Sequence, residues 1–386
     1  MFDTLIRGGT VVDGTGQPGF TADIGIRDGR IVHIGTGQQA ARERIDADGA
    51  IVAPGFIDIH THYDGQASWD ETFEPSVYHG VTTAVMGNCG VGFAPVHDHD
   101  HQRLIELMQG VEEIPGTALS EGIRWGWNSF AEYAHALDAM PHTIDFATLV
   151  PHDALRLFVM GDRAAEGQPA TDEDCARMKA LLHEALREGA IGFSTGRSDN
   201  HRTALGEETP ASEAEAKELE ALAAAYQGLP YRVLHAVSDY DCIRATAENE
   251  RALFDREYDI LEGMARVARR PLAITWLERI NAPQQHRWLA ERAEASRTAG
   301  LDVRLQTACR PVGILNGLET SFTVLKSYPS YREIGRRSLA ERLEHLRDPA
   351  FRARLLAEKP ITLAQPGSSV PPLVDLVVAR SKKPRG

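Results

Sequence analysis

Two histidines separated by one residue, His60 and His62, are the strongest chemical signal in the sequence. They end the segment FIDIHTH, residues 56–62, whose composition predicts a strand. Residues two apart on a strand point to the same side, so both imidazoles would face one site. Zinc binds histidine nitrogen at ~2.0–2.1 Å. An acidic residue, Asp64, follows His62 two positions later. The pattern predicts a metal site, and the alternative is a pair of ordinary histidines.

A single cysteine, Cys89, lies in MGNCGVG directly after the strand predicted at 81–87. The flanking glycines allow a close approach of the backbone. A thiolate there could bind zinc or bridge two ions, whereas most free cysteines are buried structural thiols. The other cysteines, Cys175, Cys242 and Cys309, are interpreted as structural. Because no CxxC pair is present, we expect no disulfide framework.

Further residues complete the set of candidates. His235, in YRVLHAV, is the natural third imidazole, although a lone histidine on a strand is often a core residue. Trp276 stands where a histidine would complete a binuclear site, and its indole donates N–H only. Asn88, beside Cys89, and Asp64 are expected to support ligands through hydrogen bonds.

Two histidine-containing segments are weaker candidates. The HDHDH run, residues 97–101, contains His97, His99 and His101 and resembles a metal-binding tract. Polar residues before a helix are, however, usually a solvated first turn. A loop after FSTGRSD could contact a substrate; its residues are Asp199, Asn200 and His201.

Strands alternating with helices would position these residues. The strand candidates are 56–62, 81–87, 144–151, 190–196, 231–237, 271–277 and 301–307. Helices are expected between most of them, including one that begins after Thr171 and stops at Gly189. This alternation predicts a parallel sheet and an α/β fold, a (β/α)8-type barrel with seven identifiable strands. Barrel active sites lie at the carboxyl ends of the strands, where the candidate ligands fall.

The chain divides into three predicted regions. Residues 1–53 alternate Val, Ile and Thr with charged residues between DG turns, which predicts a small N-terminal β-sandwich domain. Residues 54–357 form the barrel. Residues 358–386, rich in Pro, Ser and Lys, are an atypical tail.

Composition excludes several classes of protein. The 386 residues carry 41 Lys and Arg against 55 Asp and Glu, a formal charge of −14. Such a chain has little with which to neutralise phosphates, so neither a nucleic acid nor an anionic membrane is the expected partner. No apolar stretch of roughly 18–20 residues and no signal peptide are visible. We expect a cytoplasmic protein.

Several motifs together resemble the amidohydrolase superfamily, and within it the N-acyl-D-amino-acid deacylase (D-aminoacylase) group. They are GGTVVDGTG…ADIGIRDGRI, IVAPGFIDIHTHYDG, VTTAVMGNCGVG and GAIGFSTG, and the likeness covers roughly residues 3 to 355. The resemblance implies zinc-dependent hydrolysis of an N-acyl-D-amino acid, a small molecule, with one or two Zn²⁺ ions. It implies that His60, His62 and Cys89 bind metal and that His235 is the next ligand. The fourth strand, AIGFSTG, has no lysine, which argues against a hydantoinase-type site.

The sequence departs from this group in two places. Trp276 replaces the sixth-strand histidine, and nothing after Leu305 resembles the group's catalytic aspartate, so the catalytic residue is unknown. The simplest interpretation is a C-terminally truncated member, unless LVDLVVARS (373–381) supplies a missing strand. One alternative is therefore an inactive protein of the same fold with at most a structural metal. Another is a different amidohydrolase chemistry, such as an imidase or a deaminase.

Overall fold

A computed structural model describes residues 1–37, 39–205, 207–242, 245–279, 282–309, 317–319, 323, 325 and 328–359. The segment 373–381 and almost all of the predicted tail lie outside the described residues. Within those residues, no helix combines the length and the apolar composition that crossing a bilayer requires. The chain separates into one compact unit of Met1–Asp58 with Glu74–Thr83 and a second of Ile59–Phe73 with Ala84–Gly386.

The first unit contains a five-stranded sheet. Its strands are β1 (Phe2–Val11), β2 (Phe20–Arg27), β3 (Arg30–Gly35), β4 (Ala41–Asp46) and β5 (Ile51–Val52). They are ordered β3-β2-β1-β4, with β5 also paired to β1. Asp28 and Gly29 connect β2 to β3 with φ angles of 51° and 69°, as a two-residue turn with positive φ at both positions requires. The hairpin expected from the DG pair is present.

A seven-stranded sheet carries the candidate site. Its strands are β6 (Phe56–Asp58), β7 (Val81–Met86), β8 (Asp145–Pro151), β9 (Gly192–Arg197), β10 (Val233–Ser238), β11 (Leu272–Thr275) and β12 (Val303–Gln306). Their order in the sheet follows the chain, and the pairs from β8 to β12 are parallel. The predicted α/β barrel-type fold with seven strands is confirmed.

Helices separate the strands from β7 to β12, as expected, and three more follow β12. They are α1 (His101–Glu112), α2 (Gly116–Gly122), α3 (Phe130–Asp138), α4 (His152–Met160), α5 (Asp162–Ala165), α6 (Asp172–Arg187), α7 (Ala216–Ala223), α8 (Glu250–Ala268), α9 (Gln285–Thr298), α10 (Pro329–Ile334), α11 (Leu339–Arg347) and α12 (Pro349–Ala357). Helix α6 begins at a capping box, in which Thr171 and Asp174 each bond the other's backbone N–H. It buries Met178 and Leu182 on one face, the stripe expected from the helical period.

The first strand of the larger sheet is shorter than predicted. Strand β6 ends at Asp58, so His60 and His62 lie in the segment after it rather than on the strand. The Thr61 N–H nevertheless donates to the Val85 carbonyl at 3.0 Å, which keeps this segment beside β7. The two imidazoles therefore still project to one side.

A glycine turn after β7 places Cys89. Gly87 has φ 76°, and a Cβ there would lie 2.1 Å from the Leu149 carbonyl oxygen. Gly90 has φ 81°, and its Cβ would lie 2.7 Å from the Gly196 nitrogen. Only residues without a side chain permit this approach. The turn thus holds Cys89 against the neighbouring strands.

Replacing Gly87 by alanine tests this packing. We expect Gly87→Ala to lower the free energy of unfolding by about 2–5 kcal/mol, because it combines backbone strain with a steric clash. Gly126→Ala is the matched control, since a Cβ at Gly126 meets nothing within 4 Å. The control is expected to stay within about 0.5 kcal/mol of the parent in urea denaturation. Equal stability of the two variants would refute the packing argument.

Candidate metal centre

Three side chains with metal-binding atoms converge at the carboxyl end of the larger sheet. One ligand atom each from His60, His62 and Cys89 lies within 4.8 Å of the other two. His60 Nε2 is 3.1 Å from Cys89 Sγ. The ring centroids of His60 and His62 are 5.4 Å apart. Residues that the sequence predicted as one site are therefore neighbours in the structure.

His235 lies beside this group, with its ring against that of His60, and shares a hydrogen-bond partner with His60. It is buried on β10, with its ring centroid 5.0 Å from that of His60. Its Nε2 is 3.0 Å from Gln306 Oε1, and its Nδ1 is buried without a hydrogen-bond partner among the described residues. His235, the fourth predicted ligand, is thus at the site, but its Nε2 is hydrogen-bonded to the Gln306 side chain.

Gln306, at the end of β12, orients two imidazoles at once. Its Oε1 accepts from His60 Nδ1 and from His235 Nε2, each at 3.0 Å, while its Nε2 donates to the Ile59 carbonyl at 3.3 Å. The Ile59 contact fixes which end of the amide is the oxygen. An oxygen acceptor requires protons on both facing nitrogens, which leaves His60 Nε2 as a lone-pair donor toward Cys89.

Asn88 and Asp64, predicted to support the ligands, contact the backbone around them. Asn88 Nδ2 donates to the carbonyl oxygens of Val85 at 2.9 Å and Thr61 at 3.3 Å, which ties the histidine segment to the Cys89 turn. Burial raises the pKa of Asp64 to about 8, although a backbone hydrogen bond from Gly87 lowers that pKa in part.

Glu112, the last residue of α1, is a site residue that the sequence analysis missed. Its Oε1 lies 3.2 Å from His62 Nε2, and its carboxylate is close enough to Cys89 to raise the pKa of that thiol. Burial raises the pKa of Glu112, while His201 and His60 act in the opposite direction. No spacing in GVEEIP distinguishes Glu112 from the exposed Glu113, so only the fold could identify it.

Burial dominates the electrostatics of the donor set. It lowers the pKa of His62 and of His235 to about 3, with the neighbouring His60 also lowering both. Burial raises the pKa of the Cys89 thiol, and Glu112 raises it further. Neutral imidazoles and a thiol that a cation would deprotonate are the ligand types that zinc takes. His62 Nδ1 is also buried without a partner among the described residues, and these features together fit a bound zinc ion.

The HDHDH histidines do not form a metal group among the described residues. His97 Nε2 is 3.1 Å from the Phe158 carbonyl oxygen, and its ring stacks on Phe158. His101 stacks on Trp125 with centroids 3.8 Å apart. His99 is 79% exposed beside Asp100. The run was interpreted as the solvated first turn of a helix; α1 begins at His101, but of the three histidines only His99 is exposed.

The loop after β9 approaches the site through one residue. His201 is close enough to Glu112 and His62 for their charges to affect its pKa, which burial lowers. Asn200 instead donates to Asp239 at 3.2 Å, away from the ligands. Trp276 donates its indole N–H to the His286 carbonyl at 2.8 Å, which holds the ring against α9.

Comparisons with known proteins place these residues in a family context. The family model described as "Amidohydrolase family" matches residues 43–365. The D-aminoacylase of Alcaligenes xylosoxydans xylosoxydans is 42% identical over 196 residues, which are 50% of this chain and 38% of that protein. The N-acyl-D-aspartate deacylase of the same organism is 39% identical over 195 residues, 50% of this chain and 36% of that protein.

Solved structures give the same relationship. A D-aminoacylase crystal structure matches with a TM-score of 0.61 and 32% identity, over 80% of this chain and 58% of that chain. The N-acyl-D-glutamate deacylase of Bordetella bronchiseptica, complexed with zinc and a phosphonate inhibitor, matches with a TM-score of 0.60 and 31% identity, over 80% and 59%. The chain spans less than two fifths of the curated relatives' length and less than two thirds of these structures.

Removing the amide of Gln306 tests its role in orienting the imidazoles. We expect Gln306→Leu to lower the free energy of unfolding of the metal-free protein by about 1–3 kcal/mol, because two buried N–H groups lose their acceptor. Gln285→Leu is the matched control, since the buried Gln285 amide has no hydrogen-bond partner among the described residues. Urea denaturation should show the control unchanged or more stable. An equal loss in both variants would count against the bridging role.

Proposed function

Because the chain belongs to the amidohydrolase family, in its D-aminoacylase group, we propose that it is a zinc-dependent hydrolase of the amide bond in N-acyl-D-amino acids. The observation that carries this proposal is the partly buried contact of 3.1 Å between His60 Nε2 and Cys89 Sγ, beside His62. The substrate class is supported by the relatives, which include a D-aminoacylase and deacylases of N-acyl-D-aspartate and N-acyl-D-glutamate.

The proposed ligands are His60, His62 and Cys89, with His235 adjacent to them. When bound, zinc polarises the amide carbonyl and lowers the pKa of water, so that a nucleophile is present at neutral pH. One or two ions are compatible with this set of donors. Burial keeps the Cys89 thiol protonated when no cation is near. A bound zinc ion would stabilise the thiolate, which is the form that binds metal.

The surrounding residues prepare the donors for this role. Gln306 accepts the Nδ1 proton of His60 and so leaves its Nε2 lone pair directed at Cys89. Asn88 holds the Thr61 backbone, between the two histidines, to the strand that precedes Cys89. Partners of this kind fix the tautomer and the direction of a metal ligand. Gln306 and Asn88 would therefore orient the ligands of a bound metal.

A second candidate function is metal binding without hydrolysis. The observation that favours it is Trp276, whose indole donates to the His286 carbonyl and cannot serve as a ligand. Under this alternative the metal would stabilise the fold and leave amide substrates unchanged.

Metal content and turnover distinguish the two functions. We expect one to two equivalents of zinc in the monodisperse fraction from size exclusion, measured by elemental analysis. We also expect release of amino acid from a panel of N-acyl-D-amino acids, removed by a chelator and restored by zinc. Both properties should be lost in the His60→Ala, His62→Ala double variant, because two of three proposed ligands are removed.

His99→Ala is the control for this experiment, since the exposed His99 lies outside the site and should leave metal content and turnover unchanged. Zinc-loaded, monodisperse protein without turnover on the panel would refute the hydrolase and support the second function. Absence of bound zinc would refute both.

A further inference from the structure

We propose that the carboxylate of Glu112 is an additional donor of the metal centre, beside His62 and Cys89. The inference rests on the proposed metal-dependent function and extends its ligand set to a residue on a helix. Glu112 ends α1 (His101–Glu112) and so reaches the site from outside the sheet.

Glu112 contacts one of the three proposed ligands and lies near another. Its Oε1 lies 3.2 Å from His62 Nε2, and its carboxylate is close enough to Cys89 to raise the pKa of that thiol. The side chains of His62 and Glu112 are only 14% and 20% exposed. Two ligands on one zinc ion, each bound at about 2.0–2.3 Å in a tetrahedral arrangement, lie roughly 3.3–3.6 Å apart. The distance between His62 and Glu112 is therefore close to the separation that a shared ion requires.

The position of Glu112 is unfavourable for an acid unless a cation is near. The carboxyl end of a helix carries partial negative charge, which disfavours an acidic side chain by about 0.3–1 kcal/mol. The last turn of α1 contains no basic residue. Within the described part of the chain, the one ion-pair contact of Glu112 is with His62, and neither Arg nor Lys pairs with it.

A largely buried carboxylate is normally paired with a charge or bound to a metal. The groups around Glu112 are instead metal-ligand types, namely the imidazoles of His60, His62 and His201 and the thiol of Cys89. A divalent cation shared with His62 and Cys89 would satisfy the carboxylate and explain an acid at this helix end. The carboxylate would also supply an oxygen donor to a set otherwise made of nitrogen and sulfur.

The simpler role for Glu112 is to orient His62 by accepting a hydrogen bond from its Nε2–H. The two roles differ in their response to Glu112→Gln, because glutamine keeps an acceptor oxygen but is a weak metal donor. If Glu112 only orients His62, Gln should preserve metal affinity. If Glu112 binds the metal, Gln should weaken it strongly.

The test measures zinc and cobalt binding to the metal-free full-length chain by competition with a chromophoric chelator. We expect Glu112→Gln to weaken binding more than about 100-fold, since loss of an outer hydrogen-bond partner alone costs about 10–100-fold. We also expect the d–d absorption of the cobalt-loaded protein to change, while the sulfur-to-cobalt band remains because Cys89 is retained. Glu113→Gln, at the adjacent exposed residue, is the matched control and should bind as the parent does.

The outcomes separate this inference from the function on which it rests. A loss of affinity below about 100-fold in Glu112→Gln, with an unchanged cobalt spectrum, overturns the role of Glu112 as a metal donor and leaves the proposed function standing. Failure of the parent and of Glu113→Gln to bind either metal contradicts the proposed function itself.

Folding of the variant is checked independently of the metal. Metal-free Glu112→Gln should unfold at the same temperature as the parent or higher, because a buried acid at a helix carboxyl end has been neutralised. Should the variant fail to fold, Glu112→Asp provides the second test, since it keeps the carboxylate but withdraws it by one methylene. An aspartate variant with the parent's affinity and cobalt spectrum would overturn the inference.

Discussion

Close packing of backbone around the glycine turn after β7 is the constraint on which the site depends. The Ser194 hydroxyl donates to the Gly87 carbonyl and accepts from the Gly90 N–H at 3.1 Å, which fastens both ends of the turn to β9. Cys89, between them, takes a positive φ of 57°, a conformation that costs a non-glycine residue about 1–3 kcal/mol. This backbone conformation places the Cys89 sulfur 3.1 Å from His60 Nε2.

Burial then sets the chemistry of the donors. Removed from water, the imidazoles of His62 and His235 remain neutral, and the Cys89 thiol keeps its proton. A divalent cation reverses this preference, since its charge stabilises a thiolate and neutral imidazoles are its natural ligands. Desolvation therefore leaves the donors uncharged, and the proposed cation would bind to neutral imidazoles and convert the thiol to a thiolate.

Local sequence predicted the parts of the site that are contiguous in the chain. His60, His62 and Cys89 follow successive strands, and parallel strands bring such ends together. Glu112 and Gln306 were missed because their role depends on where α1 and β12 meet the sheet, which no spacing encodes. Strand β6 was predicted to reach residue 62 but ends at Asp58, since periodicity in FIDIHTH does not show where regular pairing stops. The seven strands were predictable because each is a short apolar run, and from β7 onward helices separate one strand from the next.

Zinc-edge X-ray absorption spectroscopy of the zinc-loaded full-length chain tests the central claim most directly. The account predicts a first shell that contains one sulfur at ~2.3 Å, from Cys89, together with nitrogen or oxygen donors at ~2.0–2.1 Å. A shell of nitrogen and oxygen alone, unchanged in a Cys89→Ala variant, would contradict it. In that case the contact between His60 and Cys89 would be a partly buried hydrogen bond and not the core of a metal centre.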